Sequence, residues 1–144
     1  MESRDRNVQI ERDLAIKIAF HYLGTPYIWG GDDSSGFDCS GFCIEILKSV
    51  GMLPRKGDWT AAMLAELWPR SRGAVGDLVF WGNSGRVIHV EMCIGNGLAI
   101  GASGGGSKTT SLAMAIKHNA FVKIRPVNSR DGIWGYVDPF CEVI

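Results

Sequence analysis

The groups with covalent chemistry available are four cysteines (Cys39, Cys43, Cys93 and Cys141) and three histidines (His21, His89 and His118). No CxxC pair occurs, so neither a zinc ribbon nor a dithiol redox motif is signalled, and no metal or cofactor is expected. Cys39 stands apart because of its setting, "SGFDCSGF" from Ser35 to Phe42. The apolar positions that follow, Phe42, Cys43, Ile46, Leu47 and Val50, recur at helical spacing up to Gly51, which predicts a helix beginning near Asp38. A cysteine in the first turn of a helix meets backbone N–H groups that lack helical partners, and the positive end of the helix dipole. Such a site favours thiolate, the nucleophilic form, and the same N–H groups can hold an oxyanion. Gly36 and Gly41 would let the chain turn sharply and let a substrate approach. Taken alone, the stretch is equally compatible with Cys39 as a small buried hydrophobe.

A nucleophilic thiol needs a base, and His89 in "VIHVEMCI" is the candidate. Strand alternation puts His89, Glu91 and Cys93 on one face and Val90, Met92 and Ile94 on the other. The second set is fully apolar and should face the core. The first should face the Cys39 helix or the cleft beside it. A single histidine in a strand is more often structural than catalytic, but its combination with a helix-tip cysteine reverses that preference. His21, within the first helix, and His118, in a polar connector, have no comparable placement.

The elements that must position this pair follow from periodicity. Leu14, Ile16, Ile18, Ala19, Tyr22 and Leu23 predict an amphipathic helix over about 9–23, stopped by Gly24 and Pro26. Residues 24–38 read as a loop, and "LPRKGD" after the second helix as a connector. Trp59 to Trp68 favours a short helix with Asp58 as its N-cap. Strands are expected over Asp77–Trp81 and Val87–Ile94. A turn at Gly95-Asn96-Gly97 leads to a returning strand, "LAIGAS". Gly104 to Gly106 reads as a flexible loop. Further strands are expected over Phe121–Val127 and Trp134–Asp138. Helices first and a mostly antiparallel sheet second is an α+β pattern, expected to form one domain over 1–144.

The 144 residues suffice for a core, and 46% hydrophobic with 21% charged is an ordinary globular composition. Fifteen basic residues balance fifteen acidic ones, with no basic tract that would suit nucleic acid or an anionic membrane. No apolar run approaches the roughly 20 residues of a bilayer span. The charged start, "MESRDRNVQIERD", has no apolar signal core, so export through the general secretory route is not expected, and free thiols are the default.

Four ordered motifs resemble those of the NlpC/P60 family of cell-wall peptidases, papain-like cysteine enzymes. "YLGTPYIWGG" (Tyr22 to Gly31) resembles the opening motif, and "SGFDCSGF" the nucleophile motif. "GDLVFW" resembles "PGDLVFF", with Ala74-Val75-Gly76 lacking the usual proline. "IHVEMCIGNG" (Ile88 to Gly97) resembles the histidine hairpin. The resemblance implies a papain-like NlpC/P60 fold, with the nucleophile at a helix N-terminus packed on the sheet. It implies hydrolysis of amide bonds in peptidoglycan stem peptides, usually between D-γ-glutamate and a diamino acid. By position Cys39 matches the nucleophile and His89 the general base. Tyr27 matches a tyrosine whose hydroxyl faces the site, and Asp38 and Ser40 match neighbours that commonly help to bind substrate.

One departure bears on the mechanism. The family usually has a third polar residue, often His, in "GNGxxIHAS", where this chain reads "GNGLAIGAS" and places Gly101. Glu91 is the substitute candidate, with Ser103 second and a backbone carbonyl or water third. The alternatives to a peptidase are a degenerate domain that binds wall peptides without cutting them and a thiol acyltransferase. The expected partner is a stem peptide or muropeptide, not nucleic acid or a membrane. The expected setting is a phage or prophage lytic or tail protein, cytoplasmic or released by lysis.

Overall fold

A computed structural model of the chain describes residues 7–141. The first helix, α1 (Val8–His21), opens with the Asn7 side chain accepting from the Ile10 N–H at 3.1 Å. It ends at Tyr22, and Gly24 takes a left-handed φ of 86° to leave it. The stretch expected to be plain loop contains two short paired strands, β1 (Asp32–Asp33) and β2 (Gly36–Phe37), with Asp32 opposite Phe37. Two residues per strand is too short for periodicity to reveal. Helix α2 (Cys39–Ser49) follows at once.

The third helix is shorter than expected. Helix α3 covers Ala61–Ala65, and Thr60 caps it, its hydroxyl accepting from the Met63 N–H at 3.1 Å. Asp58 instead accepts from the neighbouring Trp59 N–H at 2.9 Å. The Trp59 indole lies beneath the Lys48 ammonium, 5.8 Å from the ring centre, and so stays outside the helix.

The remaining strands are β3 (Arg70–Ser71), β4 (Leu78–Asn83), β5 (Arg86–Gly95), β6 (Leu98–Ser103), β7 (Phe121–Pro126) and β8 (Ile133–Val137). They form one antiparallel sheet in the order β3-β8-β4-β5-β6-β7. The β5–β6 turn has Asn96 and Gly97 at φ 56° and 73°, the positive values that the Gly-Asn-Gly signal demands. Helix α4 (Leu112–His118), capped by Ser111 and closed by Asn119 at φ 54°, stands where a polar connector was expected. It buries only Ala115 and exposes Leu112 and Ile116, so it has no apolar face to betray it.

The sheet buries both faces. Leu78, Phe80, Val90, Met92, Ile100, Ala102 and Val122 join Phe42, Cys43, Ile46 and Leu47 of α2 in the main core. On the opposite face Val79, Trp81, Cys93 and Ala99 form a smaller cluster with Val127, just beyond β7. Helix α1 is fastened to the sheet by charge as well as packing. The Arg12 guanidinium donates to Asp77 Oδ1 (2.8 Å), Asp138 Oδ1 (2.7 Å) and the Val75 carbonyl (2.7 Å).

Candidate active site

Cys39 is the first residue of α2, and Asp38 is its N-cap, with Oδ1 accepting from the Gly41 N–H at 2.8 Å. The same carboxylate takes the Ser40 hydroxyl at 3.3 Å and the Gly30 N–H at 3.2 Å. Asp38 therefore both starts the helix and ties it to the loop before it. Burial pushes its carboxyl above the usual range, against the pull of these three donors. Beneath the helix start, Tyr22, Phe37 and Phe42 meet edge to face, with Phe37 4.9 Å from Tyr22 and 5.8 Å from Phe42.

The glycines around Cys39 provide space rather than a turn. Neither Gly36 nor Gly41 has a left-handed φ. A Cβ at Gly36 would overlap the Ile28 side chain, and one at Gly41 would overlap the Gly31 carbonyl oxygen.

His89 lies on β5 opposite Trp81, beside a register shift between Trp81 and Gly82. Such an irregularity re-aims a side chain. The imidazole is 7% exposed, and Nε2 sits 2.7 Å from Glu91 Oε2. Cys39 lies close enough to the same ring to help raise its pKa. With Nε2 engaged by Glu91, Nδ1 is the nitrogen left for the sulfur. Burial of the ring disfavours its charged form, but Cys39 and Glu91 together outweigh it, and the His89 pKa is raised. The Trp81 ring tilts against the imidazole at 5.4 Å and shields it.

The alternation rule therefore succeeds for Val90 and Met92, which enter the main core with α2, and sets His89 and Glu91 together on the other face, beside Trp81. Cys93 belongs instead to the second cluster, where burial beside Asp77 and Glu91 pushes its thiol up to about 12. Burial also holds the Cys43 thiol well above its ordinary value.

Of the candidates for a third group, Glu91 is the one at the imidazole. Ser103 is buried and accepts from Arg130 at 3.2 Å. The β5–β6 register, with Met92 opposite Ile100 and Cys93 opposite Ala99, sets Glu91 opposite Gly101 one step further on. Among the described residues no cluster of side chains suits a metal ion.

Cys39 opens onto a groove of about 510 Å³. Tyr27, Asp38 and Ser40 line it, as do Trp29, Asp32, Asp58, Trp59 and Arg86. Tyr27 is 6% exposed, and burial, with Cys39 and Asp38 nearby, raises its hydroxyl pKa. Its ring packs against Gly105, where any Cβ would overlap it. The loop over Gly104–Gly106 is thus not a free tether. Thr109, fully buried, accepts from the Gly106 N–H at 3.1 Å, bonds His118 Nδ1 at 2.9 Å, and takes the Trp29 N–H on its carbonyl at 2.7 Å. The sequence reading missed this support because its parts come from three separate segments. His118 belongs to it and not to the catalytic pair.

A cysteine at a helix start on a groove, with a strand histidine beside it, is the papain-like arrangement, on an α+β fold with an antiparallel sheet. The profile of the NlpC/P60 family matches residues 24–126, and the chain belongs to that family. It is 42% identical over 86 residues to Protein P54 of Enterococcus faecium, covering 58% of this chain and 16% of that protein. It is 40% identical over 89 residues to a gamma-D-glutamyl-L-lysine dipeptidyl-peptidase of Bacillus cereus, covering 53% of this chain and 24% of that one. The chain therefore spans a quarter or less of these two relatives. Among solved structures, the NlpC/p60 domain of the peptidoglycan hydrolase SagA superposes with TM-score 0.67 at 30% identity, covering 88% of this chain and 97% of that one. The peptidoglycan hydrolase RipB of Mycobacterium tuberculosis gives TM-score 0.72 at 26% identity, covering 95% and 68%.

Proposed function

We propose that this chain is a cysteine peptidase domain that hydrolyses amide bonds in peptidoglycan stem peptides, at the bond joining D-γ-glutamate to a diamino acid. The observation that carries the proposal is Cys39 at the start of α2 on the wall of an open groove, with the buried His89 imidazole of β5 close enough to feel it and held by Glu91. The names of two relatives, a gamma-D-glutamyl-L-lysine dipeptidyl-peptidase and a peptidoglycan hydrolase, supply the substrate class.

The chemistry runs in two halves. The Cys39 sulfur attacks the scissile carbonyl carbon, and the resulting oxyanion is held by free N–H groups of the first turn of α2. The protonated His89 gives its proton to the departing amine, the C–N bond breaks, and the acyl half remains as a thioester on Cys39. Water, deprotonated by His89, then attacks the thioester. The C–S bond breaks, the peptide leaves as a carboxylic acid, and thiol and imidazole are regenerated. A substrate amino terminus suits the acidic lining of Asp32, Asp38 and Asp58, with Ser40 and Tyr27 offering hydroxyls. A binding-only module drew its support from Gly101, and the 2.7 Å contact of His89 with Glu91 counts against it.

The test is to incubate purified muropeptides with the protein and identify products by mass spectrometry. Products cut after D-γ-glutamate, absent with Cys39→Ala, are expected. Binding with no product, or equal product from Cys39→Ala, would overturn the proposal.

A further inference from the structure

We infer that Glu91 and Gly101 form one functional unit, in which the acceptor that orients the His89 imidazole is delivered from β5 into space left empty on β6. This rests on the Cys39–His89 reading above and extends it to the residue that fixes the ring. Three observations converge. Glu91 Oε2 is 2.7 Å from His89 Nε2, and both side chains are almost fully buried. A Cβ at Gly101 would overlap Glu91 Cγ and lie 3.0 Å from both Cβ and Cδ of Glu91. Gly101 also lies in regular strand with no left-handed φ, so its backbone would accept a side chain and the glycine is required for volume alone.

The two positions are therefore mutually exclusive. A side chain on 101 reaching toward the imidazole and a glutamate on 91 would claim the same place. The exchange also changes the chemistry. A carboxylate accepts from Nε2–H, leaves Nδ1 for the sulfur, and stabilises imidazolium as the proton arrives. Other groups bear on this pair from each side. Cys39 and Cys43 face it from α2, and Cys93 from β5. Lys123 and Arg125 come from β7, and Arg130 from the segment after it. Arg125 and Arg130 line a water-sized space that Glu91 shares with Ser103.

Two measurements test the unit, and only one needs turnover. The His89 titration is followed by NMR of its imidazole resonances in wild type and in Glu91→Gln, which keeps the shape and removes the charge. A carboxylate partner favours the charged ring, so its loss should lower the midpoint, by about one pH unit. If cleavage is observed, its alkaline limb should move down with the midpoint, and kcat should fall at least tenfold with KM little changed.

The second measurement is a double-mutant cycle. Gly101→Ala should lower kcat about as much as Glu91→Ala, by displacing the glutamate, yet cost much less in the Glu91→Ala background, where only the Cβ of residue 91 remains to give way. Glu91→Ala with Gly101→His should recover at least tenfold over Glu91→Ala alone, as an acceptor returns from β6. An unmoved His89 midpoint in folded Glu91→Gln overturns the inference, as does additivity of Gly101→Ala with Glu91→Ala. If wild type cleaves nothing, the functional proposal fails, while the titration still decides the place of Glu91.

Discussion

Replacing Gly41 with alanine should separate the cost of misplacing the nucleophile from the cost of unfolding. The new Cβ would overlap the Gly31 carbonyl oxygen and stand 2.9 Å from Asp38 Oδ1. Close carbon–oxygen contacts settle at about 3.3–3.6 Å, so the first turn of α2 must withdraw from Gly31 by about 1 Å. That shift strains the Asp38 N–H bond to the Gly31 carbonyl, now 3.0 Å, and carries Cys39 with it. Stability has two opposed contributions. Alanine improves a helical position over glycine by about 1 kcal/mol, and overpacking costs about 1–3 kcal/mol. The net loss is about 0–2 kcal/mol, a fall of roughly 0–6 °C in melting temperature for a domain of this size. A misplacement of about 1 Å at the reacting atom costs on the order of 100-fold in rate. Calorimetry and kcat/KM on a defined stem peptide, run on the same preparation, should therefore diverge. A Gly41→Ala protein with kcat/KM within threefold of wild type would refute the close-approach reasoning.

The other expectations can be checked together. His89→Ala should lose a factor of about 10² to 10⁴ in turnover while its circular dichroism stays that of wild type, and near-normal turnover would remove His89 from the mechanism. Brief, limiting alkylation followed by peptide mapping should modify Cys39 well ahead of Cys43 and Cys93, whose thiols are buried and shifted upward, and dominant labelling of either buried thiol would contradict the assignment. Arg12→Ala leaves Asp77, 2% exposed at its side chain, without its cation. Because Asp77 keeps the Ser71 hydroxyl and the Ala74 N–H, the loss should be near the low end for a broken buried pair, about 3 kcal/mol, or roughly 10 °C, and an unchanged melting temperature would contradict it.

The parts of this fold that periodicity could report are those whose burial alternates cleanly. The α2 face, the β5 alternation and the Gly-Asn-Gly turn all follow from one repeating rule and were legible in order. The two-residue strands β1 and β2 fall below any period, and α4 buries a single alanine, so neither carried a signal. Asp58 and Thr60 could each cap α3, and the choice between them depends on where Trp59 meets Lys48, a contact between elements. The same division holds at the site. Cys39 and His89 were visible because each sits in a patterned element. Glu91 was visible as a carboxylate on the histidine's face, but its claim on the space over Gly101 depends on the β5–β6 register. The Thr109 support of the Tyr27 wall was invisible because it joins a loop, a helix end and a third segment through side-chain and backbone bonds.

The central claim is that Cys39 carries the acyl half of a stem peptide between bond cleavage and hydrolysis. Rapid acid quenching of the protein during turnover of a stem peptide, followed by intact-mass measurement and peptide mapping, tests it directly. The account predicts a mass increment equal to the acyl half, located on Cys39 and absent from Cys39→Ser under the same conditions. Stem-peptide cleavage at an undiminished rate by Cys39→Ser, or an acyl adduct located on another residue, would contradict it.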